Sequence, residues 1–173
     1  CSSDLLARFR ASVDLARTGA VVVSKSGGTA ETLALAMTLL PDIAGRRGND
    51  AAADYAVAIT EPGNNPLLRL AENWDVPVVA HPVDIGGRYS ALSAVGLLPA
   101  ALAGVDIAAV RAGAAEALEL NLAGDDIEGV PAALGAAVSL ALLQSRGASM
   151  SVLMPYADAL APDRKSTRLN SSH

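Results

Sequence analysis

The chain has 173 residues, with 13 Lys and Arg against 18 Asp and Glu, a net charge of −5, and 51% hydrophobic residues. An acidic chain with 3% aromatic residues and no Lys/Arg cluster lacks the basic surface and stacking platform of a nucleic-acid binder. Its single Cys, at position 1, excludes a disulfide framework and a Cys-based metal site. Nothing reads as a signal peptide, and a cysteine-free body suits a reducing compartment, so a cytoplasmic location is expected. The longest apolar stretches, Ala91–Val105 and Val130–Leu143, are broken by Gly or Pro or fall short of the roughly 20 residues of a membrane span, and read as buried helices.

Both ends differ from the body. Asp163–His173 departs abruptly from the Ala/Leu/Val-rich sequence before it and resembles the translation of a sequencing adapter; Cys1–Leu5 resembles the other adapter end. Residues 1–5 and 163–173 are therefore expected to be foreign, the tail disordered, and residues 6–162 one domain. The two ends hold three basic and two acidic residues, so the body carries −6.

In chain order, Leu6–Arg17 has a helical period. Gly19–Val23 is a short, wholly apolar strand, as expected in a sheet covered on both faces. Ser24-Lys25-Ser26-Gly27-Gly28-Thr29-Ala30-Glu31-Thr32 then turns into a helix predicted over Glu31–Leu40 and stopped by Pro41. Strand, hydroxyl-rich glycine turn and helix N-terminus together make an anion site. Glycines admit a close backbone, hydroxyls and N–H groups donate to phosphate oxygens, and the helix dipole favours negative charge. Ser24, Lys25, Ser26, Thr29 and Thr32 are the candidate phosphate ligands, with Glu31 a weaker candidate because an acid at a helix start also simply suits the dipole. The segment fits neither G-x-x-x-x-G-K-[ST] nor G-x-G-x-x-G, so neither a nucleotide triphosphate nor a dinucleotide cofactor is expected.

Tyr55–Thr60 is a second strand, Glu61–Pro66 a dense turn, and a short helix runs to about Asn73. Val76–Ala80 is a third strand. Asp84-Ile85-Gly86-Gly87-Arg88-Tyr89-Ser90 again lies between strand and helix. Its glycines let the backbone present Arg88 into a cleft, where a permanent charge suits a phosphate or a developing enolate. His81, the only body histidine, reads as structural or surface rather than as a base. Helices are predicted over Tyr89–Ala103, Ile107–Asn121 with Asp106 as N-cap, and Pro131–Ser145 with Gly147 past its end. Ser149–Met154 closes as a strand. Strands spaced by helices imply an α/β fold, a three-layer αβα arrangement with a mainly parallel sheet of the flavodoxin-like or Rossmann-like kind. No metal site is read.

The first motif with Gly86-Gly87-Arg88-Tyr89-Ser90 resembles the glucose-6-phosphate isomerase (phosphoglucose isomerase) family, bacterial type; Ile59-Thr60-Glu61-Pro62-Gly63 and Met154-Pro155-Tyr156-Ala157-Asp158 look like the same family. The first motif is shared by sugar isomerase (SIS) domains generally, and the Gly-Gly-Arg-Tyr-Ser element is more specific. The resemblance implies interconversion of glucose 6-phosphate and fructose 6-phosphate through a cis-enediol(ate), without metal or cofactor, by a homodimeric enzyme. It implies that Ser24, Lys25, Ser26, Thr29 and Thr32 hold the phosphate and that Gly87 and Arg88 lie over the reacting carbons, Arg88 stabilising the enediolate. The family's catalytic Glu in a Gln-x-x-x-Glu pattern, its ring-opening His, its late Lys and its upstream Gly-Ser-Ser element have no counterpart in the chain. The chain is thus expected to be a fragment without turnover. A non-catalytic SIS domain that senses phosphosugars is the alternative, and it has no need of an enediolate-stabilising Arg88.

Overall fold

The computed structural model describes residues 3–48, 52–124 and 126–150. The chain divides into two compact units, residues 1–107 and 108–173.

The first unit is built on β1 (Ala20–Val23), α2 (Ala30–Arg47), β2 (Ala56–Thr60), α3 (Pro66–Asn73) and β3 (Val78–Ala80), preceded by α1 (Ser3–Ser12) and followed by α4 (Ala94–Leu102). The three strands form one parallel sheet in sequence order. Ala20 lies opposite Ala56 and Val23 opposite Ile59; Ala58 lies opposite Val78 and Thr60 opposite Ala80. Parallel pairing obliges each connection to cross from one end of the sheet to the other, and α2 and α3 are those crossovers. The architecture is α/β with a parallel sheet and helices, in keeping with a three-layer αβα domain.

The core lies between the sheet and the two crossover helices. Val22, Ala56 and Ala58 meet Leu40 and Ile43 of α2 and Leu67 and Ala71 of α3. Small residues on the sheet let the helices approach closely, and the bulky residues come from the helices. Leu33, Met37, Pro66, Leu70 and Trp74 line an open groove of about 330 Å³ where α2 and α3 run side by side. β3 is exposed along its length, as the outer strand of the sheet.

Three expected helices differ. α2 does not stop at Pro41 but continues to Arg47, where Gly48 closes it at φ 66°. Its buried stripe, Ala36, Leu40 and Ile43, runs past the proline, which sits on the exposed side. Burying Leu and Ile contributes roughly 1.5–3 kcal/mol each, enough to offset the roughly 3 kcal/mol cost of an internal proline. The extra turns also gain Arg10–Asp42, an ion pair of 2.7 Å to α1, and Arg47, whose guanidinium lies 5.3 Å from the Tyr55 ring centre. The first helix ends at Ser12 rather than Arg17, because Asp14 instead caps a separate 3₁₀ turn over Leu15–Arg17, accepting from the Ala16 N–H at 3.1 Å. The helix expected from Tyr89 begins at Ala94. Serines cause the delay: Ser90 Oγ donates to the Gly87 carbonyl, Ser93 Oγ donates to the Ser90 carbonyl, and Ser93 Oγ caps the Val95 N–H.

In the second unit, α5 (Ile107–Leu122, whose first residue belongs to the first unit) and α6 (Pro131–Arg146) match their expected ranges, and Gly147 ends α6. Asn121 joins them, its Oδ1 accepting from the Ala132 N–H at 3.1 Å. The expectation of buried helices is corrected here. No residue of α4, α5 or α6 is buried; Leu118 is 58% and Leu140 54% exposed. α4 is half-buried over Ala94–Leu98, and α6 is exposed over most of its surface. Among the described residues no helix is long and apolar enough to cross a membrane. Of the expected closing strand, Ser149 and Met150 lie outside any regular element, and residues 151–154 fall outside the described residues, as do 163–173.

Leu67 is fully buried between α3 and the sheet. Leu67→Ala is expected to lower the stability of the first unit by about 2–5 kcal/mol, read as a fall in the midpoint of urea denaturation.

Candidate functional site

Every buried polar or charged side chain among the described residues sits at the carboxyl edge of the sheet or in the loops leaving it: Ser24, Thr60, Asn65, His81 and Ser90. Buried polar groups cost free energy unless hydrogen-bonded, and of these five side chains His81 has its Nε2 buried without a partner among the described residues. The carboxyl edge of an open parallel sheet is also where α/β proteins bind ligands.

The first loop leaves β1 directly. Ser24 still belongs to the ladder, its N–H donating to the Ile59 carbonyl at 3.0 Å, and its Oγ lies 2.9 Å from Thr29 Oγ1. The Thr29 N–H reaches Ser24 Oγ at 3.5 Å, and the Gly28 N–H reaches Ser26 Oγ at 3.3 Å. The hydroxyls therefore curl round the start of α2. Thr29 is its N-cap by position, yet its hydroxyl makes no cap bond and faces Ser24 instead. The N–H groups of Ala30, Glu31 and Thr32 occupy the first turn of α2, where no preceding helix carbonyl can accept from them. Glu31 is exposed in that turn and Thr32 half-buried.

Gly27 carries the tightest constraint. Its φ is +65°, and a Cβ there would overlap Asn65 Oδ1. Its carbonyl accepts from the Leu67 N–H at 2.9 Å. Asn65 is the N-cap of α3, its Oδ1 accepting from Leu68 N–H at 2.9 Å and its Nδ2 donating to the Glu61 carbonyl at 3.0 Å. The turn after β2 is thus folded onto the turn after β1.

The third loop follows β3. His81 continues the ladder, its N–H donating to the Thr60 carbonyl at 2.8 Å, and its Nδ1 lies 2.7 Å from the Pro82 carbonyl oxygen. The imidazole is buried, so the surface option for this residue is ruled out. Gly87–Tyr89 form a 3₁₀ turn that holds Arg88 exposed to solvent.

Lys25 joins the first and third loops. Its Nζ donates to the Ile85 carbonyl at 2.7 Å and to the Val83 carbonyl at 3.3 Å, and lies 3.1 Å from Glu61 Oε1. Ser24, Lys25, Ser26, Thr29, Thr32 and Glu31 therefore lie along one loop and helix start, and Lys25 ties that loop to the segment that leads into Gly87 and Arg88. Thr60 and Glu61, in the family-like Ile59–Gly63 motif, and Asn65, in the turn after β2, carried no site role in the sequence. Thr60 Oγ1 donates to the Lys25 carbonyl at 3.3 Å, and the Glu61 N–H donates to the same carbonyl at 3.0 Å. The available signal was the cap pattern, Asn65 directly before Pro66 at a helix start. Among the described residues no group of three His, Cys, Asp or Glu is placed to hold a metal ion.

These features define an α/β protein whose polar site is assembled from three consecutive strand-to-helix loops. The family model of phosphoglucose isomerase matches residues 3–165. Glucose-6-phosphate isomerase of Rubrobacter xylanophilus is 42% identical over 139 residues, 80% of this chain and 32% of that protein. Glucose-6-phosphate isomerase of Carboxydothermus hydrogenoformans is 38% identical over 139 residues, 80% of this chain and 29% of that protein. A solved hypothetical protein from Thermus thermophilus superposes with a TM-score of 0.71 at 35% identity, covering 80% of this chain and 33% of that one. The chain belongs to the phosphoglucose isomerase family. It spans about a third of the length of the relatives it matches.

Gly27→Ala is expected to destabilise the first unit by at least about 2 kcal/mol, from the left-handed backbone and the displaced Asn65 amide. Gly28, whose added Cβ would come no closer than 3.9 Å to Ser26 Oγ, is the control. Gly28→Ala should stay within about 0.5 kcal/mol in the same denaturation measurement.

Proposed function

We propose that this chain carries the phosphosugar-binding part of an aldose–ketose isomerase that interconverts glucose 6-phosphate and fructose 6-phosphate in glycolysis and gluconeogenesis. The observation that carries the reading is the Lys25 bridge, which sets the hydroxyl-rich turn beside the segment bearing Gly87 and Arg88. A phosphosugar needs both: donors for its phosphate at one end and a cation for its reacting oxygens at the other.

Ser24, Ser26, Thr29 and Thr32 supply hydroxyls to the phosphate oxygens, and the first-turn N–H groups of α2 add backbone donors and the positive end of the helix dipole. Lys25 contributes through the backbone of the turn, since its ammonium is committed elsewhere. Glu31, exposed in the first turn of α2, has only a minor part. At the other end of the sugar a base removes the proton from C2 of the open-chain aldose. The electron pair forms the C1–C2 double bond, and negative charge moves to the C1 carbonyl oxygen. Arg88, presented by Gly87, stabilises that enediolate more than it stabilises the neutral substrate, which is the condition for lowering the barrier. Return of the proton to C1 and exchange of the hydroxyl proton complete the ketose. The reaction is redox-neutral within the sugar and consumes no cofactor.

The chain holds no Gln-x-x-x-Glu pattern. The base belongs to a part of the protein outside it, and the chain alone binds without turnover. Residues 6–162 are read as the SIS-domain portion of a longer cytoplasmic homodimer, and residues 1–5 and 163–173 as foreign sequence. A sugar phosphate is the partner, not nucleic acid or membrane. Arg88 favours the isomerase over a phosphosugar sensor, which has no developing charge to stabilise.

Titration calorimetry with fructose 6-phosphate is the test. Ser24→Ala and Thr29→Ala should each weaken binding about three- to tenfold, the loss of one hydrogen bond to a charged acceptor partly replaced by water. Absence of binding by the folded chain, or indifference to both substitutions, would remove the phosphate site from this loop.

A further inference from the structure

Lys25 has an unexpected set of partners for a residue in an anion-binding turn. An ammonium has three N–H donors, and three acceptors stand within 3.3 Å of Nζ: Glu61 Oε1, the Val83 carbonyl and the Ile85 carbonyl. Both side chains of the pair are largely withdrawn from solvent, Lys25 being 32% and Glu61 25% exposed. The base of the pair is fixed. The Glu61 N–H is bonded to the Lys25 carbonyl, and the Glu61 carbonyl accepts from Asn65 Nδ2, so its carboxylate is offered from a backbone pinned on both sides. The two carbonyls at the far end belong to a loop that has left the ladder at His81 and reaches the Gly87–Tyr89 turn immediately after Ile85.

We infer that Glu61 is a positioning residue, which holds the Lys25 ammonium away from the anion and against the Val83 and Ile85 carbonyls, and so sets the distance from the phosphate loop to Gly87 and Arg88. This rests on the phosphosugar reading above and deepens it, by giving the two ends of the site a common ruler. The phosphate is then gripped by neutral hydroxyls and N–H groups, while the cation spans the gap between loops. Removing Glu61 has opposite consequences at the two ends. Lys25 gains a donor free to reach the anion, and the segment before Gly87 loses its anchor.

The test compares the full chain with Glu61→Ala and with Glu61→Gln, which keeps an oxygen acceptor but drops the charge. Two ligands separate the two ends: inorganic phosphate, and 5-phospho-D-arabinonate, a sugar-acid phosphate whose carboxylate stands in for the enediolate. Hydrogen exchange at the amides of Gly86–Ser90 reports the brace without any ligand. In Glu61→Ala, 5-phospho-D-arabinonate should bind about three- to tenfold more weakly, inorganic phosphate should bind equally or more tightly, and exchange should rise at Gly86–Ser90 but not in β1 or β2. Glu61→Gln should fall between the two. Equal weakening of both ligands with faster exchange throughout the sheet would make Glu61 a general structural residue and overturn the inference, as would unchanged binding and exchange in both variants. If the parent chain bound neither ligand while Glu61→Ala still loosened Gly86–Ser90, the brace would stand and the phosphosugar reading would fall.

Discussion

The absence of a side chain at Gly27 is the constraint on which the site depends. The Asn65 amide occupies the volume that a Cβ would take, and the backbone there is left-handed. Two independent demands thus fall on one residue, and glycine alone meets both. Because Asn65 is also the cap of α3 and bonds the Glu61 carbonyl, the contact at Gly27 fixes the α3 N-terminus, the turn after β2 and the loop after β1 as one piece. The Leu67 N–H to Gly27 carbonyl bond closes the same joint from the backbone side. Leu67 itself is a core residue, so the joint is continuous with the hydrophobic packing beneath the sheet. The loops of the site are held to that core at a fixed point, which is the preorganisation a binding site requires.

Charge in this site is handled by separation. Lys25, the one cation in the first loop, is drawn off to Glu61 and two carbonyls, leaving hydroxyls and helix N–H groups at the position where an anion would bind. Arg88 stands exposed in its own turn, on a 3₁₀ segment stabilised by the Tyr89 N–H to Gly86 carbonyl bond and by Ser90 Oγ on the Gly87 carbonyl. A guanidinium remains charged under all ordinary conditions, so its effect depends on where the loop places it. Placement, more than the identity of either cation, is what the three loops have to deliver.

The alternation of apolar strand and helix was sufficient to read the parallel sheet, because short apolar strands and crossover helices leave distinct periods, although only β2 is largely buried and β3 is exposed. The hydroxyl- and glycine-rich loop was legible as a strand-to-helix turn because glycines and hydroxyls mark such turns locally, and its phosphate role is the reading proposed above. Pro41 misled because local propensity competes with a buried stripe, and only the packed structure shows Ile43 continuing that stripe. Ser90 and Ser93 delayed α4 through short-range bonds that hydrophobic periodicity does not register. Glu61 and Asn65 stood in a recognisable turn and cap, but their roles at the site lie in contacts with Lys25 and Gly27, more than thirty residues distant, and no local pattern encodes such a partner. The apolar stretches that form α4 and α6 read as buried, but how much surface a helix hides depends on its neighbours, which its own sequence does not specify.

The central claim is that the loops after β1 and β3 form one site for a phosphorylated sugar. The most direct measurement is a titration of the isotopically labelled chain with fructose 6-phosphate, followed by backbone amide chemical shifts. One site predicts that the amides of Ala30–Thr32 and of Gly86–Arg88 move together and fit a single dissociation constant. Movement confined to Ala30–Thr32, with Gly86–Arg88 unaffected at saturation, would contradict it.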